Sequence, residues 1–176
     1  MSNRKLLNIE LGRVSADEYK ELPDRGLLFR WKGKNDGDPA VLMAHYDVVP
    51  VDDEYLWEKP AFSGIVEDGY LWGRGTLDTK ITMASALYAA NRLIGEGFVP
   101  ENDVYFAFSG GEEINGMGAV HIVNYFKEQG ITPALVLDEG GAVINKAVEG
   151  MDRPYAVIGI MEKGYMDVKI TARGKG

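Results

Sequence analysis

Short apolar runs separated by polar, glycine-containing stretches dominate the chain, and the length of each run limits what it can form. Residues 26–31 (GLLFRW) and 40–45 (AVLMAH) are too short for helices. The intervening KGKNDGDP predicts a hairpin or a strand-turn-strand. A polar and aromatic loop, PVDDEYLWEKPAF, leads to SGIVEDGYLWG, where Asp68-Gly69 between two strand-like pieces predicts a tight hairpin. From Thr79 to about Gly95, Ile81, Ala84, Leu87, Tyr88, Leu93 and Ile94 recur at helical spacing, and Gly95 and Gly97 stand where the helix would stop. Residues 103–109 (DVYFAFS) predict a strand, residues 116–129 an amphipathic helix ended by Gly130, and residues 134–138 (ALVLD) a buried strand. Residues 155–160 and 166–172 are two further strand candidates. Strands and helices alternating at such short intervals imply right-handed parallel crossovers. The expected fold class is therefore α/β, with a mostly parallel central sheet and helices on both faces.

Composition narrows this picture. With 176 residues, 45% of them hydrophobic, the chain can bury one sizeable core, and one globular domain is expected. A formal net charge of -8 argues against a nucleic-acid partner, since phosphate binding needs clustered lysine and arginine. No apolar run approaches a membrane span, and the start MSNRKLLNIELGR lacks the apolar stretch of a signal peptide. A soluble, cytoplasmic protein without a membrane partner is the expectation. There is no cysteine, so any metal must be held by His, Asp and Glu.

In open α/β sheets, functional groups collect beyond the carboxyl ends of the strands, where loops converge. His45 closes AVLMAH, Asp78 precedes a helix, Glu112 and Glu113 follow YFAFSGG, and Asp138 closes ALVLD. One imidazole and several carboxylates without sulfur suit zinc first, with cobalt or manganese possible. Crowded carboxylates repel unless cations neutralise them, so two metals fit better than one. Taken singly, each residue has a plainer reading: a strand-end histidine is usually a hydrogen-bonded structural group, and a glutamate pair at a helix start is usually solvated. Gly73-Arg74-Gly75 reads as a tight turn or a phosphate nest, but no Gly-Lys-Ser/Thr follows it. Trp57 and Trp72 read as packing residues, and His121 as structural or surface-exposed.

Four segments, MAHYDVVPV (43–51), LWGRGTLDTK (71–80), SGGEEINGMGA (109–119) and VLDEGG (136–141), carry a resemblance. In this order they resemble the zinc metallopeptidase family that contains carboxypeptidase S, aminoacylase, acetylornithine deacetylase and succinyl-diaminopimelate desuccinylase. The tryptophans and the phrase EGFVP resemble the carboxypeptidase S branch most. The resemblance implies a zinc-peptidase three-layer sandwich, here truncated, and residues 1–176 as the N-terminal part of a catalytic metal-binding domain. It implies a small peptide or N-acyl amino acid as substrate and two zinc ions per site. His45, Asp78 and Asp138 would hold the first zinc, Asp78 would bridge, and Glu113 would hold the second. Asp47 would orient His45, and Glu112 would be the general base.

Other family features have no counterpart here. A histidine far downstream completes the second zinc's ligands in the family, and a small lid or dimerisation domain grips the substrate. A homodimer is therefore expected only of the full-length parent, and a fragment ending at TARGKG is expected to be inactive on its own. Gly111 replaces an acidic residue common in relatives, and Asp rather than Glu at position 138 leans toward the peptidase branches. The competing readings are a non-catalytic metal-binding or regulatory α/β domain and, from the Gly-Arg-Gly turn, a nucleotide-binding domain.

Overall fold

The computed structural model describes residues 19–146, 149–150, 152–161, 164, 166 and 168–174. It divides into two compact units, Met1–Glu139 and Gly140–Gly176. In the first unit a five-stranded sheet runs in the order β1, β2, β6, β3, β7. Its strands are β1 (Tyr19–Leu22), β2 (Gly26–Trp31), β3 (Ala40–His45), β6 (Val104–Ser109) and β7 (Leu135–Leu137). A separate hairpin pairs β4 (Ile65–Glu67) with β5 (Tyr70–Trp72), and among the described residues the unit also has two α-helices, α1 (Lys80–Gly95) and α2 (Gly118–Glu128). The second unit contains the antiparallel pair β8 (Ala142–Asn145) and β9 (Pro154–Val157).

Alternation along the central strands explains why the sheet is covered on both faces. Leu27 and Phe29 of β2, Ala44 of β3, and Phe106 and Phe108 of β6 form one cluster, against which Met83, Ala86, Leu87 and Ala90 of α1 pack. The intervening residues Leu28, Val41, Tyr105 and Ala107 form the opposite cluster with Ile122 and Phe126 of α2. Tyr105 and Phe126 meet edge to face, with ring centroids 5.1 Å apart. At the start of β6, the buried Asp103 binds Arg30 Nε at 2.7 Å and the Gly33 N–H at 2.8 Å, tying the loop after β2 to the sheet.

The expected α/β architecture with helices on both faces is present, but three expectations need correction. β2 and β3 do not form a hairpin: β6 lies between them, antiparallel to β2 and parallel to β3. With β1–β2 also antiparallel and only β3–β6 and β3–β7 parallel, the sheet is mixed rather than mostly parallel. β1 and β8 were not expected, because YKEL and AVIN are too short for a distinct period. The Asp68-Gly69 hairpin forms as expected, with both residues at positive φ (51° and 82°). Residues 158–160 fall outside β9, and the described residues within 166–172 carry no strand; the others lie outside the described residues.

Candidate metal centre

β3, β6 and β7 are mutually parallel, so their carboxyl ends, and the loops that follow them, meet at one edge of the sheet. His45 ends β3 in register with Ser109 at the end of β6, and the Tyr46 N–H extends the ladder by one bond, to Ser109 O at 2.9 Å. This fixes the imidazole, which is 2% exposed. Its two nitrogens face different partners. Nδ1 lies 3.2 Å from the Asp47 carbonyl and 3.5 Å from Asp47 Oδ1. Nε2 is hydrogen-bonded to Asp78 Oδ1; with Nδ1–H donating to Asp47, Nε2 is the nitrogen that would serve as a metal ligand in place of that proton.

Three carboxylates approach Nε2 from three different loops. Asp78 Oδ1, ahead of α1, lies at 2.9 Å; Glu139 Oε1, beyond β7, at 3.3 Å; and Glu112 Oε2, beyond β6, at 4.0 Å. Glu112 and Glu113 sit on a single 3-10 turn, Glu112–Ile114, closed by Asn115 in the left-handed region. Asp47 holds that turn: its Oδ1 accepts the Glu112 N–H and its Oδ2 the Glu113 N–H, each at 3.2 Å. Gly110 gives the Tyr46 ring its place just before the turn, since a Cβ there would lie 2.5 Å from the ring and displace it.

The charges at this edge are unbalanced. Burial acts to lower the His45 pKa, but the Asp78 hydrogen bond and the Glu139 and Glu112 charges outweigh it and hold the imidazole above its ordinary value. Burial also raises the Glu139 carboxyl, assisted by the nearby Asp78 charge and opposed by His45. A cation would relieve both. Among the described residues, two groups offer ligand atoms within 4.8 Å of one another: His45, Asp78 and Glu113, and His45, Glu112 and Glu139. One imidazole nitrogen with carboxylate oxygens is a donor set suited to zinc and to neighbouring divalent metals.

The structure brings together His45, Asp47, Asp78, Glu112 and Glu113, all singled out from the sequence. Asp138 belongs to neither ligand group, and its neighbour Glu139 stands at the imidazole instead. Carried on as a strand, the register pairing Val41 with Val136 would place Asp138 on the His45 face. β7 ends at Leu137, however, the backbone bends at Glu139, and its Oε1 lies 3.3 Å from His45 Nε2. The signal in the sequence was the doubled acid of VLDEGG, which marks the loop without choosing between its two carboxylates. Gly73-Arg74-Gly75 is a turn whose Arg74 N–H bonds Ala61 O at 2.7 Å while the guanidinium lies over Trp57, so it gives the nucleotide reading no support.

A histidine and several carboxylates gathered at the ends of parallel strands of an α/β domain form a donor set able to hold a divalent metal ion. The sequence model described as peptidase family M20/M25/M40 matches residues 41–172, and the chain belongs to that family. It is 40% identical over 146 residues to the N-fatty-acyl-amino acid synthase/hydrolase PM20D1.1 of Danio rerio, an alignment covering 82% of this chain and 28% of that protein. Against the probable carboxypeptidase S-like 2 of Dictyostelium discoideum the identity is 40%, covering 82% and 29%. For carboxypeptidase S of Saccharomyces cerevisiae it is 32%, covering 90% and 28%. The chain thus spans under a third of the length of these relatives. The fold matches the M20 metallo-carboxypeptidase Sso-CP2 of Sulfolobus solfataricus, with a TM-score of 0.64 and 24% identity over 79% of this chain and 31% of that one. Human carnosine dipeptidase 1 matches with a TM-score of 0.65 and 17% identity, over 77% and 31%.

Proposed function

We propose that this chain carries most of the zinc centre of a hydrolase that cleaves a peptide or N-acyl amide bond of a small substrate. The observation that supports it is the approach of carboxylates from three separate loops to the buried Nε2 of His45. His45, Asp78 and Glu139 would hold one zinc, with Asp78 shared by a second zinc that also takes Glu113. Assigning Glu139 replaces the sequence-based expectation of Asp138. Bound zinc supplies Lewis acidity toward the scissile carbonyl and neutralises the crowded carboxylates.

The remaining chemistry falls to side chains of this chain. Glu112, on the same turn as Glu113 but half exposed and 4.0 Å from His45 Nε2, would take a proton from an attacking water and return it to the leaving nitrogen. Asp47 would keep the imidazole in the tautomer that leaves Nε2 as a ligand, and its carboxylate accepts the N–H groups of both glutamates. Peptides and N-acyl amino acids are the substrate classes that the relatives' names suggest.

Zinc content and hydrolysis of dipeptides and N-acyl amino acids, measured on this chain and on the full-length protein, test the reading. Zinc retained with activity lost in Glu112→Gln is the expected result. A protein that binds no zinc, or whose hydrolysis is indifferent to Glu112, would refute it.

A further inference from the structure

Lys80 opens α1, two residues after Asp78, and its long side chain reaches back to the end of β3. Its ammonium donates to the Tyr46 carbonyl at 2.5 Å, within the peptide that joins His45 to Asp47. We propose that Lys80 is a positioning residue of the metal centre, locking the His45–Tyr46–Asp47 backbone to the segment that presents Asp78. This rests on the reading of the site given above.

Tyr46 makes at least three hydrogen bonds. Its N–H bonds Ser109 O at 2.9 Å, its phenol bonds Arg25 O at 2.8 Å, and its carbonyl takes the lysine. The first two fix the residue to the sheet and to the turn before β2. The third reaches the segment that carries Asp78. The Tyr46 carbonyl belongs to the peptide plane that leads into Asp47, so a charge-assisted bond there limits rotation of that plane. Asp47 in turn places the partner of His45 Nδ1 and holds the N–H groups of Glu112 and Glu113. One ammonium thereby couples both sides of the centre.

The surroundings are shaped for this reach. Gly75 is buried at a φ of 87°, and a Cβ there would collide with Val48 and lie 3.3 Å from Lys80 Nζ and 3.5 Å from its Cδ. The glycine leaves room for the lysine side chain. The Lys80 backbone N–H also bonds Gly75 O at 3.0 Å, so the residue is fastened at both ends.

The test compares Lys80→Met, Lys80→Gln and Lys80→Arg in the whole chain, by zinc affinity in chelator competition, imidazole ¹⁵N shifts in metal-free protein, and urea midpoint. The chain has two histidines, so His121 serves as the internal reference. Lys80→Met is expected to weaken zinc binding about tenfold or more. It should move the His45 shifts toward a mixture of tautomers while those of His121 stay fixed, and Lys80→Arg should restore both. Should Lys80→Met fail to fold, Lys80→Gln, which loses the charge but keeps polarity, is expected to show the same losses. Zinc affinity within twofold of wild type with unchanged His45 shifts would overturn the proposal, as would a lowered urea midpoint alone. If the wild type binds no zinc, the reading of the site fails, and the ¹⁵N shifts alone still decide the role of Lys80.

Discussion

Asp47 shows how much of the site depends on residues that need not touch a metal. Its carbonyl faces His45 Nδ1, and its two carboxylate oxygens each accept a backbone N–H from the glutamate turn. Asp47→Asn would point an amide N–H₂ at one of those donors. The expected outcome is a loss of zinc affinity of roughly 10- to 100-fold, read by chelator competition. Asp103, at the other end of β6, carries a stability prediction. Burial acts to raise its pKa, but the Gly33 N–H and the Arg30 guanidinium overcome it and hold the carboxyl below its ordinary 3.8. Because the folded value is the lower one, the unfolded chain takes up the proton more readily. The contribution is complete above the ordinary value and is lost as pH falls from there through the folded pKa. Asp103→Asn should cost on the order of 2 kcal/mol at neutral pH, and the urea midpoint of wild type should fall toward that of the variant in acid. At this scale the sequence singled out the residues that the structure gathers around His45 but did not single out Glu139, whose carboxylate lies 3.3 Å from His45 Nε2, because the doubled acid after a three-residue strand gives no sign of which one faces the imidazole.

The parallel trio β3, β6 and β7 brings the site loops together, and β6 is its keystone. It pairs with β2 on one side and β3 on the other, and its Phe108 is fully buried. Phe108→Ala should lower unfolding stability by about 3–5 kcal/mol in chemical denaturation, since the sheet on both sides restricts collapse into the cavity. Zinc affinity should weaken with it, because the Ser109 register that seats His45 follows directly. Elements with strong periodicity or turn chemistry were legible: both helices, the apolar strands and the Asp68-Gly69 hairpin. Pairing was not. GLLFRW and AVLMAH are neighbours in sequence with a turn-like link, and nothing local in them discloses that a strand more than 50 residues later would separate them. The polar YKEL reads as strand only once it has β2 to pair with.

The molecule as a whole carries a formal net charge of -8, and several of its carboxylates crowd one buried imidazole. Metal binding to the folded state alone would therefore feed directly into folding stability, by about 2.7 kcal/mol at free zinc 100-fold above the dissociation constant. Zinc should raise the thermal midpoint and a chelator should reverse the rise; indifference to zinc would contradict the fit of the donor set. The family was legible at this scale because its segments lie in order along 41–172. The chain spans under a third of the length of the relatives it matches. The most direct measurement is calorimetric titration of this chain with zinc, beside His45→Ala, Asp78→Ala, Glu139→Gln and Asp138→Asn. The expected result is tight binding in wild type, abolished by His45→Ala and Asp78→Ala and weakened at least about tenfold by Glu139→Gln, with Asp138→Asn close to wild type. Absence of binding in wild type, or binding unchanged by His45→Ala, would contradict a centre built on the strand ends around His45.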